Sequence, residues 1–439
     1  MTTASAASSS RHDPRLTFQS PAQPLTPPAF YRPTGPNARP PHWQRLEPRG
    51  FKSPWPSSNP RITGLWSFLR TRYYDARDEW QEPPLPKKGE GMPVVREAKW
   101  LEDGGREEDE RVRLTWLGHA SCHLQLPLHD SAKTTLNILT DPVLSHRCSP
   151  VQFMGPARYT EPCTSVEAMA QDDRAWPHVV VLSHNHYDHM DYGTIKALLS
   201  RPNGREQPLW LVPLGLKKWF EQHCKELPSE KVVELDWWEE TIVAAGEGRA
   251  GVKFTCTPAQ HFSGRSINDR NQTLWASWAM HVLPSDTSAS RHPSARIWFS
   301  GDSGYRSLPR GFPTDGSGDE SSLPHCPAFR EIGQLLGPFD LALIACGAYQ
   351  PRSMFSELHM NPRESVQVHK EIGARRSVGI HHSTFRLTSE EVNEPANWFV
   401  EEGRKAGLGE GEVGCLGIGE TSVVKVHGQE EMEGQKAAL

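Results

Sequence analysis

Nowhere does this chain of 439 residues carry an apolar run approaching the ~20 residues that a membrane-crossing helix needs. Its N-terminal stretch, Ser-rich and poor in acids, also lacks the apolar centre of a secretory signal. The eight cysteines include no CxxC pair and form no compact framework. Reduced thiols and an intracellular setting are therefore expected. A basic surplus is missing too: 48 Lys and Arg stand against 53 Asp and Glu, a formal net charge of −5. That balance argues against a dedicated nucleic-acid partner.

What is present divides along the chain. Residues 1–50 are rich in Pro, with Ser, Ala and Thr between, and hold too little apolar surface to offset the entropy of ordering. Disorder is expected there. Residues 51–110 combine an aromatic segment with a linker. Phe51, Trp55 and the helically spaced Ile62, Leu65, Trp66, Leu69 and Tyr73, beside Arg70 and Arg72, suit a helix lying in a membrane interface. Pro, Gly and mixed charges from residue 84 to 110 read as a surface linker. The texture then changes, and residues 111–428 read as one catalytic domain, with 429–439 a flexible tail. Strand-like runs fall at 114–117, 122–126, 136–139, 179–182, 209–212, 252–256, 278–282, 297–299, 341–345 and 378–380. Helical patterns lie near 193–200, 214–224, 329–336, 363–373 and 388–405. Two batches of strands with helices between them predict two packed sheets under helical layers. The stretches 283–295 and 310–327 read as inserted loops.

The run Val179, Val180, Val181, Leu182 predicts a buried strand, and it is followed by His184, His186, Asp188 and His189. Imidazole and carboxylate are the ligands of catalytic zinc. His184 and His186, two apart on an extended loop, point the same way and can chelate one ion. Asp188 and His189 can turn toward a second. His261, Asp302 and His381 each follow a further apolar run, at a strand's C-terminal end. Alone, each is more often structural; together, in this order, they make a ligand set.

The order HxHxDH, His, Asp, His resembles the metallo-β-lactamase superfamily. The flanking words sharpen the likeness: Leu114 to Ser121, Leu139 to Pro142, Ser149 to Pro156, Val212 to Leu216, Glu234 to Glu239, Thr257 to His261, Gly301 to Tyr305, Gly337 to Asp340, and Ile380–His381. Over about residues 112–400 the chain is similar to the N-acyl-phosphatidylethanolamine-hydrolysing phospholipases D. The resemblance implies an α/β chain folded as an αββα sandwich, with two Zn²⁺ at one edge of the sheets. It implies His184, His186 and His261 on one ion, Asp188, His189 and His381 on the other, and Asp302 across both. Asp302, Asp188 and His359 would then lie nearest the chemistry. Water shared by the metals, its pKa lowered toward ~7, would attack phosphorus, releasing an N-acylethanolamine and leaving phosphatidic acid. The substrate is then a membrane phospholipid, met peripherally at a cytosolic or mitochondrial surface. The family often dimerises, and nothing in this sequence speaks to that.

Gln152, Phe153 and His359 fall where the family lines its substrate groove. Phe153 stands where the family usually has Tyr, and Leu358 where it tends to carry Gln, so two polar contacts to a head group are lost. For His119, support of a metal ligand and a place in the core weigh equally. For Asp141, in a Thr-Asp-Pro turn, a plain Asx turn is favoured over orientation of an imidazole. The alternatives are a lactonase or nuclease on the same fold, or a non-catalytic membrane-binding scaffold. A scaffold would be expected to have lost ligands, and all seven are present.

Overall fold

The computed structural model describes residues 16–58, 91–100 and 111–426, with Arg70 and Pro86, apart from 36–37, 47–48, 129–134, 246–249, 267, 284–293, 310 and 314–317. Along the chain run β1 (Leu16–Gln19), β2 (Arg111–Gly118), β3 (Ser121–Pro127), β4 (Thr135–Thr140), α1 (Val166–Met169), β5 (Val179–Val181), α2 (Tyr192–Leu199), β6 (Leu209–Pro213), α3 (Lys217–His223), β7 (Val232–Leu235), β8 (Glu240–Ala245), β9 (Gly251–Thr257), β10 (Ser277–Val282), β11 (Arg296–Phe299), α4 (Ala328–Leu336), β12 (Leu341–Ala345), α5 (Arg352–Phe355), α6 (Pro362–Glu371), β13 (Ser377–Ile380), α7 (Glu394–Lys405), β14 (Val413–Cys415) and β15 (Thr421–Lys425).

Two sheets result, ordered β15-β2-β3-β4-β5-β6-β7 and β1-β8-β9-β10-β11-β12-β13-β14. Each is antiparallel on one side and parallel on the other, and the strand directions decide where the site sits. β2, β4 and β5 run the same way in the first sheet. β9, β11 and β13 run the same way in the second. Every loop that carries a candidate ligand therefore leaves a strand of one of these two sets. One hydrophobic core spans both sheets, with Leu114 and Val180 from one and Phe254 and Leu343 from the other fully buried in it. The sheets are also tied directly: the Trp278 indole donates to the Leu182 carbonyl at 2.9 Å. Helix α6 begins on a capping box, Asn361 with Glu364, behind Pro362. It packs on α4, α7 and β12.

All ten strand runs read from the sequence are strands here, and the five helical patterns are α2, α3, α4, α6 and α7, the last beginning later than expected. The αββα sandwich stands. The N-terminal expectation does not, from Leu16 onward. β1 pairs antiparallel with β8. Tyr31 is buried and its hydroxyl donates to Glu331 at 3.0 Å. The buried His42 ring sits 2.7 Å from Asp236 and stacks on Trp237 at 4.4 Å. A few aromatic anchors with distant partners order a Pro-rich segment whose average composition argues against it.

Phe51 and Trp55 are also corrected: neither faces lipid. Phe51 is fully buried, and Trp55 is buried with its ring stacked on Trp237 at 5.4 Å. The rest of that amphipathic segment, apart from Arg70, lies outside the described residues, as do most of residues 84–110 and the tail. Part of the expected linker packs: Val95 bridges to Ile418, and the Trp100 ring lies 4.7 Å from His123.

Candidate metal centre

The loop after β5 is held by Asp141, at the end of β4. Its carboxylate accepts from the Ser183 amide at 2.7 Å and the Ser183 hydroxyl at 2.5 Å. It also meets His189 Nδ1 at 2.6 Å, which fixes that tautomer and aims Nε2 inward. The simple-turn reading of Asp141 is thus replaced by an orienting one. Asp191 takes no part in the centre; it caps α2 through the amides of Gly193 and Thr194. Gly301 is required where β11 turns into the site. A Cβ there would lie 2.5 Å from the Ser183 Cβ, at a φ of +54°. His119, Asp141 and His381 hold the left-handed conformation without being glycine, at φ of 53°, 35° and 64°. Such backbone costs on the order of 1–3 kcal/mol and persists where surroundings enforce it. Here the His381 amide donates to the His119 carbonyl at 2.9 Å.

Seven side chains then converge as two triads and one carboxylate between them. His184 Nε2 lies 2.7 Å from His186 Nδ1, and His261 Nε2 lies 3.3 Å from the same atom. The His261 Nδ1 is bound to the Leu358 carbonyl at 2.9 Å, so its Nε2 is left with the lone pair. In the second triad His189 Nε2 and His381 Nε2 are 3.1 Å apart, each 3.6 Å from Asp188 Oδ2. His119 Nε2 holds that same carboxylate oxygen at 3.0 Å, so His119 belongs to this cluster through Asp188. Asp302 reaches both triads: Oδ2 lies 3.0 Å from His189 Nε2 and 3.7 Å from His261 Nε2, and Oδ1 lies 3.0 Å from His381 Nε2.

The electrostatics suit cations. Burial keeps His184 well below its ordinary value and lowers His186 to about 4 and His261 to about 3, so these rings are neutral. Burial would raise Asp188 and Asp302, but the neighbouring histidines, His189 first, overcome it and hold both well below the usual carboxylate range. Burial opposes charge on His381, yet Asp302 and Asp188 lift it to about 9. Without an ion, protons on His189 and His381 balance the carboxylates. Ring nitrogens aimed at one another across about 3 Å, beside ionised carboxylates, are a donor set that could hold metal cations.

His359 joins this centre; its buried Nδ1 lies 3.8 Å from Asp302 Oδ2 with no hydrogen-bond partner. Gln152 and Phe153 are not brought in. They sit on an exposed loop, where Gln152 closes on the Arg147 backbone at 3.0 and 2.9 Å and Phe153 is 83% exposed. Sequence reasoning weighed Leu358 only for its side chain and missed its backbone oxygen, which leaves no side-chain signal. It also missed the strap over residues 53–58. There the Ser53 hydroxyl donates to the His261 carbonyl at 3.3 Å, Ser57 to Gln260 at 2.6 Å and Ser58 to Glu357 at 2.9 Å.

Comparison with known proteins identifies relatives of the chain. Residues 136–382 match the family model of the Beta-lactamase superfamily domain. The chain is 36% identical over 290 residues to N-acyl-phosphatidylethanolamine-hydrolyzing phospholipase D 1 of Caenorhabditis elegans, covering 65% of this chain and 68% of that one. It is 29% identical over 286 residues to a Saccharomyces cerevisiae protein of the same name, designated mitochondrial, covering 64% and 49%. An uncharacterized Mycobacterium tuberculosis protein is 34% identical over 297 residues, covering 66% and 63%. Among solved structures, isothiocyanate hydrolase from Delia radicum gut bacteria superposes with a TM-score of 0.46 at 16% identity, covering 71% of this chain and 98% of that one.

Proposed function

This chain belongs to the β-lactamase superfamily, and from that premise we propose that it is a zinc-dependent phosphodiesterase. In this reading it hydrolyses N-acyl-phosphatidylethanolamine to an N-acylethanolamine and phosphatidic acid, at a membrane surface. Asp302 carries the reading, because one carboxylate touches both triads and so can join two ions in one centre. The names of the nematode and yeast relatives support the substrate class.

His184, His186 and His261 would hold one Zn²⁺, Asp188, His189 and His381 the other, with Asp302 between. Bound zinc would supply Lewis acidity toward a phosphate and lower the pKa of a bound water to ~7. The chain's own residues do the rest. Asp141, His119 and the Leu358 carbonyl fix the tautomers and angles of the ligands. His359, which burial lowers to about 3, stays neutral. Its unpartnered Nδ1 can donate to a phosphate oxygen without adding charge. Among the described residues no helix is long and apolar enough to cross a membrane, and in this reading the enzyme meets lipid peripherally through residues 62–74.

Hydrolysis in heavy-oxygen water tests the reaction. Attack at phosphorus places the label in phosphatidic acid. Label in the N-acylethanolamine, or hydrolysis of a lactone or RNA in preference to the lipid, would contradict the proposal.

A further inference from the structure

A second cluster of metal-binding donors lies outside the centre. Cys346, just past β12, Cys415, at the end of β14, and His382, just past β13, place two sulfurs and a ring nitrogen all within 4.8 Å of one another. Cys346 is fully buried, His382 nearly so, and Cys415 part-exposed.

The sheet explains why the sulfurs meet. β13 runs between β12 and β14, with Gly379 opposite Ile344 on one side and Cys415 on the other. Cys346 lies two residues beyond Ile344 and so shares its face. Gly379 has no side chain to separate the two thiols. A Cβ there would lie 2.7 Å from the Cys415 sulfur and 3.0 Å from the Cys346 sulfur.

Two readings of the pair are separable by geometry. Strands lie roughly 4.8 Å apart, so residues across an intervening strand have Cα atoms about 9–10 Å apart. A disulfide needs about 4.4–6.8 Å, which the sheet does not allow. A tetrahedral ion that bonds sulfur at about 2.3 Å and nitrogen at about 2.1 Å holds its donors roughly 3.6–3.8 Å apart, so donors within 4.8 Å of one another need only small side-chain adjustments to share one.

His382 is prepared for the same role. The Ser383 hydroxyl donates to the Val392 carbonyl at 2.7 Å, so its oxygen accepts from His382 Nδ1 at 2.8 Å. Nε2 lies 3.2 Å from the Gly379 carbonyl, which can only accept, so a bound ion would take the place of the proton that Nε2 donates there. Ligating histidines commonly pass their other N–H to such an acceptor.

We propose that Cys346, His382 and Cys415 form a separate thiolate-containing site for a zinc-type ion, with a fourth position open beside the part-exposed Cys415. Cys₂His with one open position is a known zinc set. The ion would tie together the ends of β12, β13 and β14, one residue from His381. Nothing in this inference depends on the reaction proposed above.

Cobalt substitution tests it, because the seven-residue centre holds only nitrogen and oxygen donors. The full chain, loaded with Co²⁺, is expected to show a thiolate-to-cobalt charge-transfer band in the near ultraviolet. It is expected to bind one more equivalent of metal than the Cys346→Ser, Cys415→Ser double variant. In that variant the band disappears while metal binding at the seven-residue centre persists. Bound metal should also shield the part-exposed Cys415 of the wild-type chain from alkylation, a readout that needs no variant. A wild-type protein with no such band, a band that survives in the double variant, or a Cys346–Cys415 disulfide found by mass spectrometry would overturn the proposal.

Discussion

Asp141 Oδ2 and His189 Nδ1 lie 2.6 Å apart, both sealed from solvent. The pair sets which nitrogen of His189 faces the centre. In Asp141→Asn the negative charge is lost and the tautomer is no longer fixed, while the volume is kept. Zinc affinity or turnover should fall by about 10–100-fold, as for other partners of metal-bound histidine. Competition with a chelator measures the affinity, and circular dichroism checks that the fold is retained.

Asp302 contacts His189, His261 and His381 at once. A neutral amide at this position joins and neutralises two cations poorly. Asp302→Asn should therefore cost more than the roughly 10–100-fold typical of an outer partner. Turnover at saturating zinc is the measurement. A wild-type rate would remove the bridging role.

Metal uptake should release protons. In the metal-free chain His381 is held at about 9, since Asp302 and Asp188 outweigh the effect of burial. At pH 7 the ring is thus protonated, and a ligand must give that proton up. Adding zinc to the apo protein at pH 7 is expected to acidify a weakly buffered solution, and zinc retention should weaken as pH falls. A pH-stat titration decides it. Uptake without proton release would contradict the His381 assignment.

The segment 62–74 supplies the proposed contact with lipid. Trp66→Glu combined with Phe68→Glu, at two aromatic residues of this segment, should reduce co-sedimentation with phospholipid vesicles and leave zinc content unchanged. Vesicle binding equal to wild type would dispose of this contact.

Much of the centre was legible because each ligand ends a strongly apolar strand. Val179 to Leu182, Val252 to Cys256 and Ile297 to Phe299 announce both the strand and the place where it stops. What stayed hidden acts through the backbone or across long distances. Leu358 contributes a carbonyl, and the left-handed backbone of His381 has no composition signal. Tyr31, His42 and Trp55 look like stray aromatics in a Pro-rich stretch, since Glu331, Asp236 and Trp237 lie far along the chain. The same blindness made Phe51 and Trp55 read as lipid-facing when they are core. Asp141 looked like an ordinary turn residue because its partners, Ser183 and His189, come from the neighbouring strand's loop.

The most direct test of the account is release of N-acylethanolamine from N-acyl-phosphatidylethanolamine, followed by mass spectrometry with and without a chelator. The account predicts product from the zinc-loaded chain, none after chelation, and recovery when zinc is restored. A fully loaded, folded chain that releases no N-acylethanolamine would contradict it.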